Sequence, residues 1–161
     1  MPGGETTYRV AADADLPTIT HVRTSVVENH LSVEQLAQRG ITEASVAASF
    51  RADSRGWVAE HDGEVVAFSI ADRKSHSIFA LFVLPGFDGR GIGGTLLGLA
   101  EEWLWESGSE RIWLETGNDT RAATFYARKG WVAAGVDARG NIRFECSRPK
   151  GRSAGQDALS R

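Results

Sequence analysis

Residues 89 to 94 read GRGIGG, which crowds Gly89, Gly91, Gly93 and Gly94 between the apolar run IFALFVL at 78 to 84 and a helix-like run that begins near Gly91. Glycine has no Cβ, so it accepts positive φ and lets a ligand approach the backbone amides closely. A helix that starts in such a loop turns its unpaired N–H groups and the positive end of its dipole toward whatever lies there, and an anion suits that place best. The chain must therefore accommodate a strand, a glycine-rich turn and a helix in direct succession, with room for a phosphate at the join.

The elements on either side can be read from periodicity and turn chemistry. Tyr8 to Ala11 is a short strand candidate, and the helix after it takes Asp13 or Asp15 as N-cap and tolerates Pro17 in its first turn. Leu16, Ile19, Val22 and Val26 give that helix a buried stripe, and a second helical stretch after Thr42 carries Val46, Ala47 and Phe50. GWVAEHDGEVVAFSIAD reads as two strands joined by a tight turn at Asp62-Gly63. Ser77 to Leu84 is nearly all apolar, which predicts a central strand covered on both faces. Gly91 to Ser107 is helical, with Ile92, Leu96, Leu99, Trp103 and Leu104 on one side. Arg111 to Thr116 is a strand, and Thr120 to Lys129 is a helix ended by Gly130. Trp131 to Val136 and Ile142 to Cys146 form a hairpin around DARGN. The predicted order is β, α, α, β, β, β, α, β, α, β, β.

Composition narrows the class of protein. A chain of 161 residues with 42% hydrophobic and 24% charged residues is an ordinary globular sequence. Residues 1–147 read as a single domain, and 148–161, poor in large apolar side chains, as a loose tail. A net charge of −3 without a long basic block argues against a nucleic-acid partner. Cys146 is the only cysteine, which excludes an intramolecular disulfide and fits a reducing compartment. The four histidines lack metal-ligand spacing, so no metal is expected. The start MPGGETTYRV has no signal-like pattern, and no apolar run approaches bilayer length, so the sequence reads as cytoplasmic and without a membrane partner.

Two familiar phosphate loops fit the glycines poorly. A P-loop needs a lysine for the β and γ phosphates, and Gly93, Gly94 and Thr95 have none beside them. Gly89, Gly91 and Gly94 do satisfy G-x-G-x-x-G, and Glu115 follows roughly twenty residues on, as in a dinucleotide-binding oxidoreductase. In that fold, however, the glycines turn directly out of the strand. Here Pro85, Gly86, Phe87 and Asp88 intervene, and too little chain follows for the required parallel crossovers.

The loop instead resembles the acetyl-CoA loop of the GNAT N-acetyltransferase superfamily, Gln/Arg-x-x-Gly-x-Gly/Ala. Asp88, Gly89, Arg90, Gly91, Ile92 and Gly93 fill its six places, after LFVLPGF and before TLL. Asp88 departs from the usual Gln or Arg. A second stretch, TRAATFYARKGW, is similar to that family's later motif N-x-x-A-x-x-F-Y-x-x-x-G-F/W. Ala122, Phe125, Tyr126, Gly130 and Trp131 match in register, while Asp119 takes the Asn place and Asn118 lies one residue early. The resemblance covers about residues 6 to 147, and ENHLS near Glu28 further resembles a subgroup of bacterial members.

The resemblance implies an α+β fold, with a mixed, mostly antiparallel sheet of about seven strands and helices on both faces. It also implies transfer of an acetyl group from acetyl-CoA to a small-molecule or peptide amine by direct attack in a ternary complex. Gly89 to Gly94, with Arg90 and Ile92 among them, would cradle the pyrophosphate. Leu81, Phe82 and Val83 would hold the pantetheine arm through a splayed strand, with Asp88, Asn118 and Phe125 completing the cofactor site. Tyr126 would protonate the departing thiolate. Glu115 is the leading general base, with Glu28 and His76 as alternatives; Glu28 and Asn29, on the helical arm, would contact an acceptor whose amine is cationic. A non-catalytic acyl-CoA-binding module remains the competing class, and exposed strand edges near the C-terminal hairpin would permit a homodimer.

Overall fold

The computed structural model describes residues 4–150. Among them, in chain order, are β1 (Thr6–Val10), a 3-10 turn (Asp13–Asp15), α1 (Leu16–Ser25), α2 (Val33–Gln38), α3 (Glu43–Phe50), β2 (Ser54–His61), β3 (Glu64–Asp72), β4 (Ser77–Val83), α4 (Ile92–Glu106), β5 (Arg111–Gly117), α5 (Arg121–Arg128), β6 (Val132–Val136) and β7 (Asn141–Ser147). The strands form one sheet in the order β1-β2-β3-β4-β5-β7-β6, and every neighbouring pair is antiparallel except β4 with β5. That topology excludes a doubly wound dinucleotide fold, which needs a run of parallel strands.

Each face of the sheet carries its own core. On one side Leu16, Ile19 and Val22 of α1 pack with Val58, Phe68 and Ile70 of the sheet, and Val46, Ala47 and Phe50 of α3 lie against them. On the other, Ile92, Leu96, Leu97, Ala100 and Leu104 of α4 join Ala67, Ile112, Leu114 and Phe144. The α4 side chains recur at helical spacing, so one stripe is wholly removed from water; a truncation there such as Leu104→Ala costs about 2–5 kcal/mol. Helices therefore cover both faces.

Two local expectations are refined. Asp15 holds the N-cap position of α1, but its carboxylate makes no capping bond to the helix. It accepts from Ala12 N at 2.7 Å and receives a two-point fork from Arg9, both contacts at 2.8 Å, so it fixes the turn before the helix and ties that turn to β1. The arm also holds three helices rather than two. Its extra member, α2, opens with a reciprocal cap in which Gln35 N donates to Ser32 Oγ at 3.1 Å and Ser32 N donates to Gln35 Oε1 at 2.8 Å.

At the far edge, all five residues of β6 are exposed, Val132 and Val136 among them. After β7, the Arg148 guanidinium donates to the carbonyls of Ser109 and Trp105, so the first residue beyond the sheet is anchored; the segment 151–161 lies outside the described residues.

Candidate active site

The site originates in a break between β4 and β5. These strands pair only at Ser77 and Trp113, where Trp113 N donates to His76 O at 3.1 Å, and then diverge. On its other side β4 stays bonded to β3. Leu84 N donates to Val66 O at 2.8 Å, and the antiparallel register alternates from there, so Phe82 exchanges bonds with Phe68 while Leu81 and Val83 turn their N–H and C=O groups away from β3. A bulge puts Phe79 out of register as the strands part, and its side chain is 46% exposed. The strand expected to be covered on both faces is thus central but open along one edge, and the free backbone groups belong to Leu81 and Val83 rather than to Phe82.

The opening is a cleft of about 1320 Å³ that runs from the glycine loop, between β4 and β5, to the arm formed by α1, α2 and α3. At its loop end Gly86, Gly89 and Gly91 have φ of 97°, 77° and 80°, and Gly91 is the residue from which α4 starts. A side chain at these positions would be strained whatever the space around it. Gly93 and Gly94 serve another purpose. A Cβ on Gly93 would sit 3.6 Å from the Phe125 ring, and one on Gly94 only 3.0 Å from Lys129 Nζ, so α5 lies directly over the first turn of α4. An ammonium near the positive end of a helix adds to the attraction of that end for an anion. The bare turn and Lys129 together suit a pyrophosphate.

Tyr126 is 6% exposed and packs against Phe125, Trp131 and Phe144 at ring-centroid separations of 5.2, 6.0 and 5.9 Å, yet it lines the same cleft. Burial holds its phenol well above the usual tyrosine range, so it stays a neutral O–H donor.

The arm is clamped to the far side of the cleft by two consecutive residues. Glu28 Oε1 accepts from Arg121 N at 2.9 Å and caps α5 alongside Thr120, whose Oγ1 accepts from Ala123 N at 3.1 Å. Asn29, at φ 58°, donates to Thr116 Oγ1 at 3.0 Å and accepts from Gly117 N at 3.1 Å. Both side chains line the cleft, where they were expected, and both also bond protein groups. Asp88 is likewise engaged: its carboxylate lies 3.7 Å from Arg121 Nη2, linking the glycine loop to the start of α5.

The arm end of the cleft has an unexpected charge pattern. Arg23 of α1 lies over the Phe82 ring, 4.1 Å from its centroid, and its buried Nη1 has no hydrogen-bond partner among the described residues. An unpaired buried donor costs about 1–3 kcal/mol. Burial, with Arg39 close by, lowers the Arg23 guanidinium to about 10, and both arginines line the cleft. Glu115 also lines it; this side chain is exposed and stands opposite Arg143 in the β5–β7 register.

Of the residues singled out from sequence, Glu28, Asn29, Leu81, Phe82, Val83, Asp88, Gly89, Gly91, Ile92, Gly93, Gly94, Glu115, Phe125 and Tyr126 converge on this cleft. Three others do not line it. Arg90 stacks on Phe87 with 4.9 Å from Cζ to the ring centroid, Asn118 is exposed with its N–H donating to Gly140 O, and His76 contacts Ser109 Oγ through Nδ1 at 2.9 Å. Arg23 was not among the residues singled out from sequence. The signal for Arg23 was present, because a cation between Ile19 and Val26 interrupts an apolar stripe at three-and-four spacing. Among the described residues no group of three or more His, Cys, Asp or Glu is disposed to hold a metal, and no helix is long and apolar enough to cross a membrane.

Comparisons with known proteins agree with this architecture. An uncharacterized N-acetyltransferase of Archaeoglobus fulgidus is 41% identical over 81 residues, covering 44% of this chain and 54% of the relative. Streptothricin acetyltransferase of Streptomyces lavendulae is 33% identical over 93 residues, covering 54% and 49%. The chain spans about half the length of the curated relatives it matches. Among solved structures, PaiA N-acetyltransferase from Thermoplasma acidophilum in complex with coenzyme A superposes with a TM-score of 0.77 at 16% identity, over 89% of this chain and 99% of that one. A GNAT superfamily phosphinothricin acetyltransferase from Sinorhizobium meliloti in complex with AcCoA gives 0.71 at 21%, over 91% and 90%. At such identities these structures speak for the fold. The profile of the Acetyltransferase (GNAT) family matches residues 22–131, more than half the sequence, and the chain belongs to the GNAT acetyltransferase family.

Proposed function

We propose that this protein is an acetyl-CoA-dependent N-acetyltransferase that acts by direct attack of a bound amine. The observation that carries the reading is the divergence of β4 from β5 beside a glycine loop that opens α4, with Tyr126 in the wall of the resulting cleft. The family match, the similarity to streptothricin acetyltransferase and the fold shared with a coenzyme A complex support it.

Acetyl-CoA supplies an activated thioester, and attack of a neutral amine on its carbonyl forms an amide and releases a thiol. In this reading the amides of residues 89 to 94 and the Lys129 ammonium bind the pyrophosphate. The free N–H groups of Leu81 and Val83 hold the pantetheine arm and stabilise negative charge on the carbonyl oxygen; the Phe125 ring walls the loop end. Tyr126 gives its phenolic proton to the departing sulfur. Glu115 removes a proton from the acceptor ammonium, directly or through water, from the opposite side of the opening.

The reading is tested by following acetyl-CoA consumption and thiol release with a panel of amines. Time-dependent thiol release that requires an amine supports it. Tight acetyl-CoA binding with no turnover on any amine would favour a non-catalytic binding module instead.

A further inference from the structure

The arm end of the cleft presents two cations, Arg23 and Arg39. Among the described residues neither Arg23 nor Arg39 lies in an ion pair, and Glu28, the acid nearest in sequence that lines the cleft, turns one carboxylate oxygen to Arg121 N. The other carboxylates in the lining are Asp88, which faces Arg121 at the glycine loop, and Glu115, which the proposed reaction uses for proton removal. A polycationic acceptor would meet like charge here. An arginine held half-buried over the Phe82 ring, with Nη1 unpartnered among the described residues, is instead pre-positioned to lose little conformational freedom when a planar or tetrahedral oxyanion arrives. Val26, Leu31, Leu36 and Ile41 contribute apolar surface to the same lining, which strengthens a charge-assisted contact made beside them.

We propose that the acceptor is an amine that also carries an oxyanion, a carboxylate or a phosphate, and that Arg23 and Arg39 hold this group while the amine faces the opening between β4 and β5. The inference rests on reading the cleft as a site of amine acetylation, and it names the substrate class for that site. It replaces the expectation of a cationic acceptor held by Glu28 and Asn29.

Two measurements test it. In the first, calorimetry with protein saturated with coenzyme A compares amino acids with their carboxamides, and phosphoethanolamine with ethanolamine. In the second, thiol release from acetyl-CoA is followed on the same panel. At least one oxyanion-bearing member should bind about tenfold or more tightly than its neutral counterpart. Arg23→Gln should bring that ratio close to one, Arg39→Gln should narrow it, and neither should change coenzyme A affinity. The amino-acid and phosphate arms identify which oxyanion is read. Thermal melts identify a variant that fails to fold; Arg39→Gln, at an exposed position, and Arg23→Lys, which keeps the charge but loses the fork, then carry the comparison. Equal binding of all charged and neutral partners, or an oxyanion preference that survives both glutamine substitutions, overturns the proposal. Selective binding without acetylation of any amine upholds the oxyanion site while refuting the transferase reading.

Discussion

The Asn29 carboxamide and the Gly117 backbone are interlocked: Gly117 N donates to Asn29 Oδ1 at 3.1 Å, and a Cβ on Gly117 would stand 2.5 Å from that same oxygen. β5 ends in glycine at this point, and the contact lets the helical arm close down on the sheet. Gly117→Ala should lower unfolding free energy by about 1–3 kcal/mol and loosen the arm. Asn29→Gly, which keeps the positive φ accessible but removes the clamp, should do the same, and the two losses should not add. Denaturant unfolding and amide hydrogen exchange over residues 26–32 read both effects; unchanged protection in either variant would refute the clamp.

Tyr126→Phe should lower kcat by about 10²-fold or more, the lower end of what a positioned general acid contributes, with acetyl-CoA affinity unchanged. The ring's packing is preserved in phenylalanine, so stability should move little. Steady-state rates and a direct titration of acetyl-CoA decide it, and full turnover in the variant would remove Tyr126 from the reaction.

Glu115→Gln should impair acetylation most at low pH. An amine that has lost its proton to solvent needs no base, so the deficit relative to the parent should shrink as pH rises through the acceptor's own pKa. A deficit constant across pH would point to acceptor binding rather than proton removal.

The Asp88–Arg121 pair should affect cofactor affinity more than stability. Both side chains are largely exposed, and such a pair contributes about 0–1 kcal/mol to folding. Asp88→Gln removes a negative charge from the mouth of an anion site and releases Arg121, so acetyl-CoA should bind as well or better. Arg121→Gln leaves Asp88 uncompensated and should weaken binding. Calorimetric titrations that move in the same direction for both variants would contradict this account.

Asp15 ties the first turn to β1, and its contact with Arg9 holds its carboxyl below the usual range. A depressed folded-state pKa adds stability that is present above the unfolded carboxylate value and is lost as pH falls through the folded one. Asp15→Asn should therefore cost about 1.5–3 kcal/mol at neutral pH, and the penalty should vanish in acid. Urea unfolding at neutral and acid pH distinguishes this from a pH-independent packing defect.

Much of the fold was legible in local sequence because its signals are short-range. The Asp62-Gly63 turn, the stripe of α4 and the glycines before it each depend on neighbours within one or two turns of chain. The Ser32–Gln35 cap of α2 was equally local and was overlooked, since no long apolar stripe follows it. Asn118, His76 and Arg90 fall outside the cleft for a different reason. Position beside a motif does not determine which way a side chain leaves the backbone: Ser109 and Phe87 hold the His76 and Arg90 side chains elsewhere, and Asn118 is exposed in a backbone fixed by its N–H to Gly140 O.

The sequence by itself determined the strand–loop–helix unit, the positive-φ turns at Gly89 and Gly91, and the motif around Tyr126, because each is encoded by residues adjacent in the chain. Only the tertiary structure decided that β4 leaves β5 after a single pairing at Ser77 and Trp113, that Glu28 and Asn29 bond the protein itself, and that Arg23 and Arg39 line the arm end of the cleft with no ion pair among the described residues. Those features arise between segments far apart in sequence. Packing and electrostatics across the sheet set them, and no window along the chain contains both partners.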